Sequence, residues 1–283
     1  MRSVLLAISL LFALTGCGTA PAVNSTTAAS NQPKAAGTPS ANQLTTNPQT
    51  VTIDSPDGVK LLGSFYPVAQ ANSPALLLLH QWQSDRHSYD DFAKRESARG
   101  FAVLSIDGRG FGESTKKADG STVTAGRSDE DVKAMLGDVD ASVTFLKKQN
   151  NVDPKRIGIV GASYGSSLAI MYASDHTDIP AVALLSPGLN YFGNMQTLPA
   201  LQKYGDRDLY VIASKSDRDS NEAAESFMKI GNTRYGFVIL PVGGSHGTEM
   251  FKYRNTTDGP PVVEDALEFF LTTRLGLAKA DYN

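Results

Sequence analysis

The segment Ile157-Gly158-Ile159-Val160 runs without a break into Gly161-Ala162-Ser163-Tyr164-Gly165, and a stretch rich in Ala, Ser and Leu follows. The short apolar run reads as a buried strand and residues 168–173 as part of a helix. The five residues between them fit G-x-S-x-G in the strand–turn–helix context that motif requires. Such a turn holds its serine in strained backbone geometry and lifts the hydroxyl to the end of the strand. Glycines on both sides let the chain bend tightly and let helix and strand approach closely. The first helical turn offers unpaired amides and a partial positive charge to a developing oxyanion. Ser163 is therefore the candidate nucleophile, and a plain Gly/Ser turn is the competing reading.

The surrounding pattern extends this unit into a layered domain. Residues 51–53 and 59–66 flank a Pro56-Asp57-Gly58 turn and read as antiparallel strands. Residues 75–79, ending at His80, form a short apolar run suited to a strand buried on both faces. A helix at 89–99 stops at Gly100, and 101–106 is the next buried strand. The loop Asp107-Gly108-Arg109-Gly110-Phe111-Gly112-Glu113-Ser114 lacks the Lys-Ser/Thr of a P-loop and does not fit G-x-G-x-x-G, so it reads as a tight structural turn. Ser128 is a candidate N-cap with Asp131 three residues on. Val132, Met135, Leu136, Val139, Val143 and Leu146 then make one apolar stripe at helical spacing. Further strands fall at 181–185, 209–213 and 237–242. Pro260-Pro261 opens a last helix carrying Val263, Ala266, Leu267 and Phe270. Strands alternating with helices predict an α/β domain, a mostly parallel mixed sheet with helices on both faces. Ligands in such sheets bind beyond the carboxyl ends of the strands. Between Leu185 and Leu209 there is room for one helix, so no large cap domain is expected.

The first residues carry a different signal. Arg2 precedes an almost wholly apolar run, residues 4–14, that is too short to span a bilayer but suits a signal peptide. It ends in Leu14-Thr15-Gly16-Cys17, which resembles the lipobox of bacterial lipoproteins. That resemblance implies cleavage before Cys17 and a diacylglyceryl group on its thiol. Several acyl chains together would hold the protein stably at a membrane. An ordinary secretory signal with a chance cysteine is the alternative. Residues 18–49 are rich in Ala, Ser, Thr, Asn, Gln and Pro, and bury too little to offset ordering entropy. The expected organisation is a signal peptide at 1–16, a lipidated Cys17 and disordered tether at 17–50, and one domain at 51–283. The expected location is exported and membrane-anchored, at the cell surface or on the periplasmic side. Cys17 is the only cysteine, so an intramolecular disulfide or a cysteine zinc cluster is ruled out. A net charge of −3 provides no basic field for nucleic acid.

From about Val51 to Leu275 the chain resembles the α/β-hydrolase family, particularly its compact branch of dienelactone-hydrolase-like proteins and small esterases. The resemblance rests on Ser163 in its elbow, the His80 strand end, the Asp107–Ser114 loop, and an acid and a histidine in the order Ser, acid, His. It implies that His246, in Gly243-Gly244-Ser245-His246-Gly247 past the last strand, is the general base. It implies that Asp217, where Ser214-Lys215-Ser216-Asp217 matches the family's G-x-x-D turn, is the acid, with Asp219 as second candidate. The oxyanion hole would be the backbone amides of Tyr164 and Trp82, with Gln81 second to Trp82; Trp82 reads alternatively as a packed pocket wall. The family has His-Gly where this chain has His80-Gln81, and a positive φ there would strain Gln81. In the family the strand-end histidine matched by His80 is structural. His87 sits near a helix start, where it could line the pocket, and His176 reads as a surface residue.

The expected activity is carboxylic ester hydrolysis of a small-molecule acyl substrate through an acyl-enzyme, with no metal or organic cofactor. Gln81, Tyr191, Phe192 and Met195 are candidate pocket residues, the last three equally readable as core. A peptidase or amidase on the same three residues is one rival, and a non-catalytic surface-binding lipoprotein is another.

Overall fold

A computed structural model of the chain describes residues 47–241, 245–259 and 261–277. The signal segment, Cys17 and the tether as far as residue 46 lie outside the described residues. The strands are β1 (Gln49–Asp54), β2 (Val59–Tyr66), β3 (Ser73–Leu79), β4 (Ala102–Ile106), β5 (Lys116–Lys117), β6 (Val152–Ala162), β7 (Ala181–Leu185), β8 (Asn190–Tyr191), β9 (Met195–Gln196), β10 (Asp208–Ser214) and β11 (Tyr235–Leu240). The α-helices are α1 (Asp90–Arg99), α2 (Asp129–Lys147), α3 (Tyr164–Asp175), α4 (Thr197–Tyr204), α5 (Arg218–Met228) and α6 (Val262–Arg274). β1 begins at Gln49, two residues inside the segment read as tether, because Gln49 and Thr50 pair with Phe65 and Ser64.

The main sheet runs β1-β2-β4-β3-β6-β7-β10-β11, with β5 beside β2. β1, β2 and β4 pair antiparallel in turn, and every pairing from β4 to β11 is parallel. This is the expected mixed, mostly parallel α/β sheet. Alternate side chains of the central strands enter two separate cores. Leu77, Leu79, Val182 and Leu184 pack with α2, α3, α4 and α5 on one face. Leu76, Leu78, Ala181, Ala183 and Leu185 pack with α1 and α6 on the other.

Local signals act as the sequence suggests. Ser128 and Asp131 form a reciprocal capping box at the start of α2. Gly100 ends α1 in the left-handed conformation. Between β7 and β10 the chain forms only the β8–β9 hairpin and the eight-residue α4. Among the described residues no helix is long and apolar enough to cross a membrane.

Candidate active site

Because β3, β4, β6, β7, β10 and β11 are parallel, the loops that follow them open on one edge of the sheet. Ser163 follows β6 directly and caps α3 with φ 53° and ψ −122°, a conformation disfavoured for any residue with a Cβ. Its amide donates to the carbonyl of Leu185 at 2.8 Å, tying the turn to β7. The two flanking glycines have steric reasons. A Cβ on Gly161 would lie 2.2 Å from the Gly165 carbonyl oxygen. One on Gly165 would lie 2.6 Å from the Leu79 oxygen and 2.7 Å from that of His80, so α3 can meet the end of β3 only at a glycine. Tyr164 is the first residue of α3, and its amide has no acceptor within the helix.

His246 reaches the site from beyond β11. Its Nδ1 lies 2.6 Å from Asp217 Oδ2. Asp217 caps α5, and its Oδ2 also accepts a 2.6 Å bond from the Ser220 hydroxyl. Partial burial would raise the Asp217 carboxyl, but the bonds from His246 and Ser220 outweigh it and hold the pKa below the usual range. Asp219 points elsewhere, exposed and 3.5 Å from Arg218. Of the two acid candidates, Asp217 is the one His246 meets.

Three residues hold this arrangement that sequence reasoning did not single out. Ser186, at the end of β7, is fully buried with φ 48°. Its hydroxyl accepts the amide of Gly247 at 2.9 Å and also contacts Asp217. Ser220 bonds Asp217 as described, and Thr248 donates its hydroxyl to Gln81 Oε1 at 3.0 Å. Gln81 therefore turns its side chain to the His246 loop. Serine and threonine are too common for such roles to stand out; the one available signal was Ser186 directly after a buried strand.

The remaining histidines are separate from this chemistry. His80 is buried, takes the Gly108 amide on Nε2 at 2.9 Å and meets the Gln81 carbonyl with Nδ1 at 2.7 Å. Burial pushes its pKa below the ordinary histidine value, so it is a neutral structural strut. His87 is exposed beside Asp90, and His176 stacks on Tyr172 at the end of α3. The Asp107–Ser114 loop is structural as expected: buried Asp107 accepts the amides of Arg86 and Glu113 at 2.8 Å each.

Positive φ after β3 falls at Gln83, not Gln81, so the residue replacing the family glycine is not in the left-handed region. Trp82 is half-buried and meets the rings of Phe192, Phe111 and Tyr164 at 4.7, 4.8 and 5.3 Å. It forms an aromatic wall beside the Ser163 turn. Tyr191 and Phe192 are partly buried there. The Tyr191 hydroxyl donates to the Ser186 carbonyl at 3.0 Å and lies beside Ser163. Met195, the third candidate of that stretch, is instead fully buried in the core under α3, the second of its two readings.

A family described as serine aminopeptidase, S33, matches residues 70–221. An uncharacterized protein of Mycobacterium tuberculosis is 30% identical over 265 residues, 85% of each chain. A thiohydrolase of Aspergillus aculeatus is 33% identical over 201 residues, covering 69% of this chain and 59% of that protein. Among solved structures, the Pyrococcus furiosus esterase Pf2001 aligns with a TM-score of 0.64 at 18% identity, over 87% of this chain and 98% of that one. A carboxyl esterase of Bacillus coagulans aligns at 0.62 and 14% identity, over 80% of this chain and 98% of that one. At such identities the structural likeness establishes the fold. The chain is a hydrolase and belongs to the α/β-hydrolase family, within the group described as serine aminopeptidase, S33.

Proposed function

We propose that this protein is a carboxylic ester hydrolase acting through Ser163, His246 and Asp217. The observation that carries the reading is the 2.6 Å contact between His246 Nδ1 and Asp217 Oδ2, on the same sheet edge as a serine held in a strained elbow. Asp217 accepts the Nδ1 proton and fixes the ring tautomer, which leaves Nε2 to take the Ser163 proton. Ser163 Oγ attacks the ester carbonyl, and the displaced electron pair settles on the carbonyl oxygen. The Tyr164 and Trp82 amides hold that oxyanion. Collapse breaks the ester C–O bond while His246 returns the proton to the leaving alcohol. Water then repeats the sequence on the acyl-enzyme and frees the acid.

Relatives named as an esterase and a thiohydrolase support acyl transfer from oxygen or sulfur. The family's description supports a second reading, aminopeptidase activity on the same residues. A fluorophosphonate probe, followed by p-nitrophenyl esters and aminoacyl amides, separates them. We expect labelling at Ser163, its loss in Ser163→Ala, and higher kcat/KM on esters. No labelling, under conditions that label a control esterase, would overturn the hydrolase mechanism; faster amide cleavage would establish the peptidase. We also infer export and lipid anchoring at Cys17, supported by Leu14-Thr15-Gly16-Cys17. Cys17→Ala should leave the membrane fraction, and its retention there refutes the anchor.

A further inference from the structure

The aromatic wall beside Ser163 carries a cation. The Arg127 guanidinium carbon lies 4.8 Å from the centroid of the Trp82 ring and 4.9 Å from that of Phe192. Among the described residues its side chain has no carboxylate partner and donates no hydrogen bond, although it precedes the acidic start of α2. Two of the three carboxylates that open α2 are engaged elsewhere. Asp129 accepts from Asn194 Nδ2 at 2.9 Å, and Asp131 closes the capping box with Ser128.

The position is also built rather than incidental. Asn194 Nδ2 bonds both the Arg127 carbonyl, at 3.0 Å, and Asp129. This fastens the Arg127 loop to the hairpin that carries Tyr191 and Phe192. Phe192 and Gly193 turn that hairpin at positive φ, 60° and 84°. The rings join Arg127 to the chemistry: Trp82 touches Tyr164, the residue after Ser163, and Tyr191 lies beside Ser163 itself. A guanidinium held by ring π-electrons keeps its N–H donors for another acceptor.

We propose that Arg127 is the specificity residue of this site and binds a carboxylate at the far end of the substrate's acyl chain. The preferred substrates are then monoesters of short dicarboxylic acids. The inference rests on the esterase reading for its catalytic half, but its binding half stands alone. The acyl chain would lie along Trp82 and Phe192 with its ester carbonyl at Ser163 and its carboxylate forked on Arg127.

Trp82 is the only tryptophan in the chain, so its fluorescence reports this site without turnover. Monomethyl glutarate and methyl valerate present the same chain length with and without the charge. With Ser163→Ala in both proteins, so that neither ester is turned over, we expect monomethyl glutarate to bind the protein that keeps Arg127 about fivefold more tightly than the one carrying Arg127→Gln, with affinity falling as salt rises. Methyl valerate should bind both proteins alike. On the corresponding p-nitrophenyl esters, Arg127→Gln should lower kcat/KM about five- to tenfold for the anionic ester only. Equal affinity for monomethyl glutarate with and without Arg127 in the Ser163→Ala background would overturn the proposal. So would an equal loss for both ligands, which assigns Arg127 to packing of the wall. Fluorescence discrimination with neither ester hydrolysed would retain the anion site and refute the esterase reading.

Discussion

The buried hydroxyl of Ser186 accepts the amide hydrogen of Gly247 at 2.9 Å, across 61 positions of sequence. Gly247 follows His246, so the end of β7 holds the loop on which the proposed base rides. Ser186 also touches Asp217 and takes a positive φ to do so. Under the proposed mechanism it is a positioning residue.

Ser186→Gly removes the hydroxyl and relieves the backbone strain together. Its thermal stability should stay near that of the wild type, while kcat on a p-nitrophenyl ester falls by about tenfold, the scale of one buried hydrogen bond. The pH profile of kcat/KM should shift on its acid limb, because Asp217 and the His246 loop lose a shared partner. An unchanged profile with unchanged kcat would remove Ser186 from the machinery.

Asp217 and Asp219 give the sharper contrast. Asp217→Asn keeps the shape but loses the charge, and its NH2 donor facing His246 Nδ1 favours the wrong ring tautomer, so kcat should fall by about a hundred- to ten-thousandfold. Asp219→Asn alters an exposed side chain beside Arg218 and should stay within about twofold of the wild type. Steady-state hydrolysis of one ester by both variants decides between them.

Glu96 offers a test away from the site. It is buried in α1 near Arg95, Arg99, Glu264 and Glu268, with one carboxylate oxygen lacking a partner among the described residues. Burial, only partly offset by the arginines, pushes its pKa up to about 7. Below the unfolded pKa, near 4.5, both states hold the proton and stability is unaffected. As pH rises from there to about 7, the unfolded chain releases the proton before the folded one does, and stability falls. Urea midpoints at pH 5 and pH 8 should show the wild type losing on the order of 1–3 kcal/mol more than Glu96→Gln between the two. Parallel pH dependence of the two proteins would show that Glu96 titrates normally.

Strand and helix placement, the mostly parallel sheet and the strand–turn–helix elbow at Ser163 were legible because each follows from local patterns. Gly161 and Gly165 announce the elbow, since a methyl group at either would strike backbone carbonyl oxygen. The partners of the site were less legible. Gln81 and Thr248 meet across 167 positions, and nothing near either residue announces the contact. The substitution of Gln81 for glycine raised an expectation of strain that the backbone answers by taking its positive φ at Gln83. Met195 has the composition of a pocket residue, but the β8–β9 pairing turns it into the core beneath α3. In each case a tertiary contact decided what the local pattern left open.

Among the described residues β11 ends the sheet and pairs only with β10. His246 is delivered from that edge, whereas Ser163 rises from β6, flanked on both sides by β3 and β7. The two halves of the proposed catalytic pair therefore sit on parts of the molecule with unequal resistance to opening. Edge elements exchange their amide hydrogens through partial openings that leave the centre intact. Fraying of β11 would withdraw the base while the nucleophile stayed in place, so on warming, activity should vanish before the native fold does.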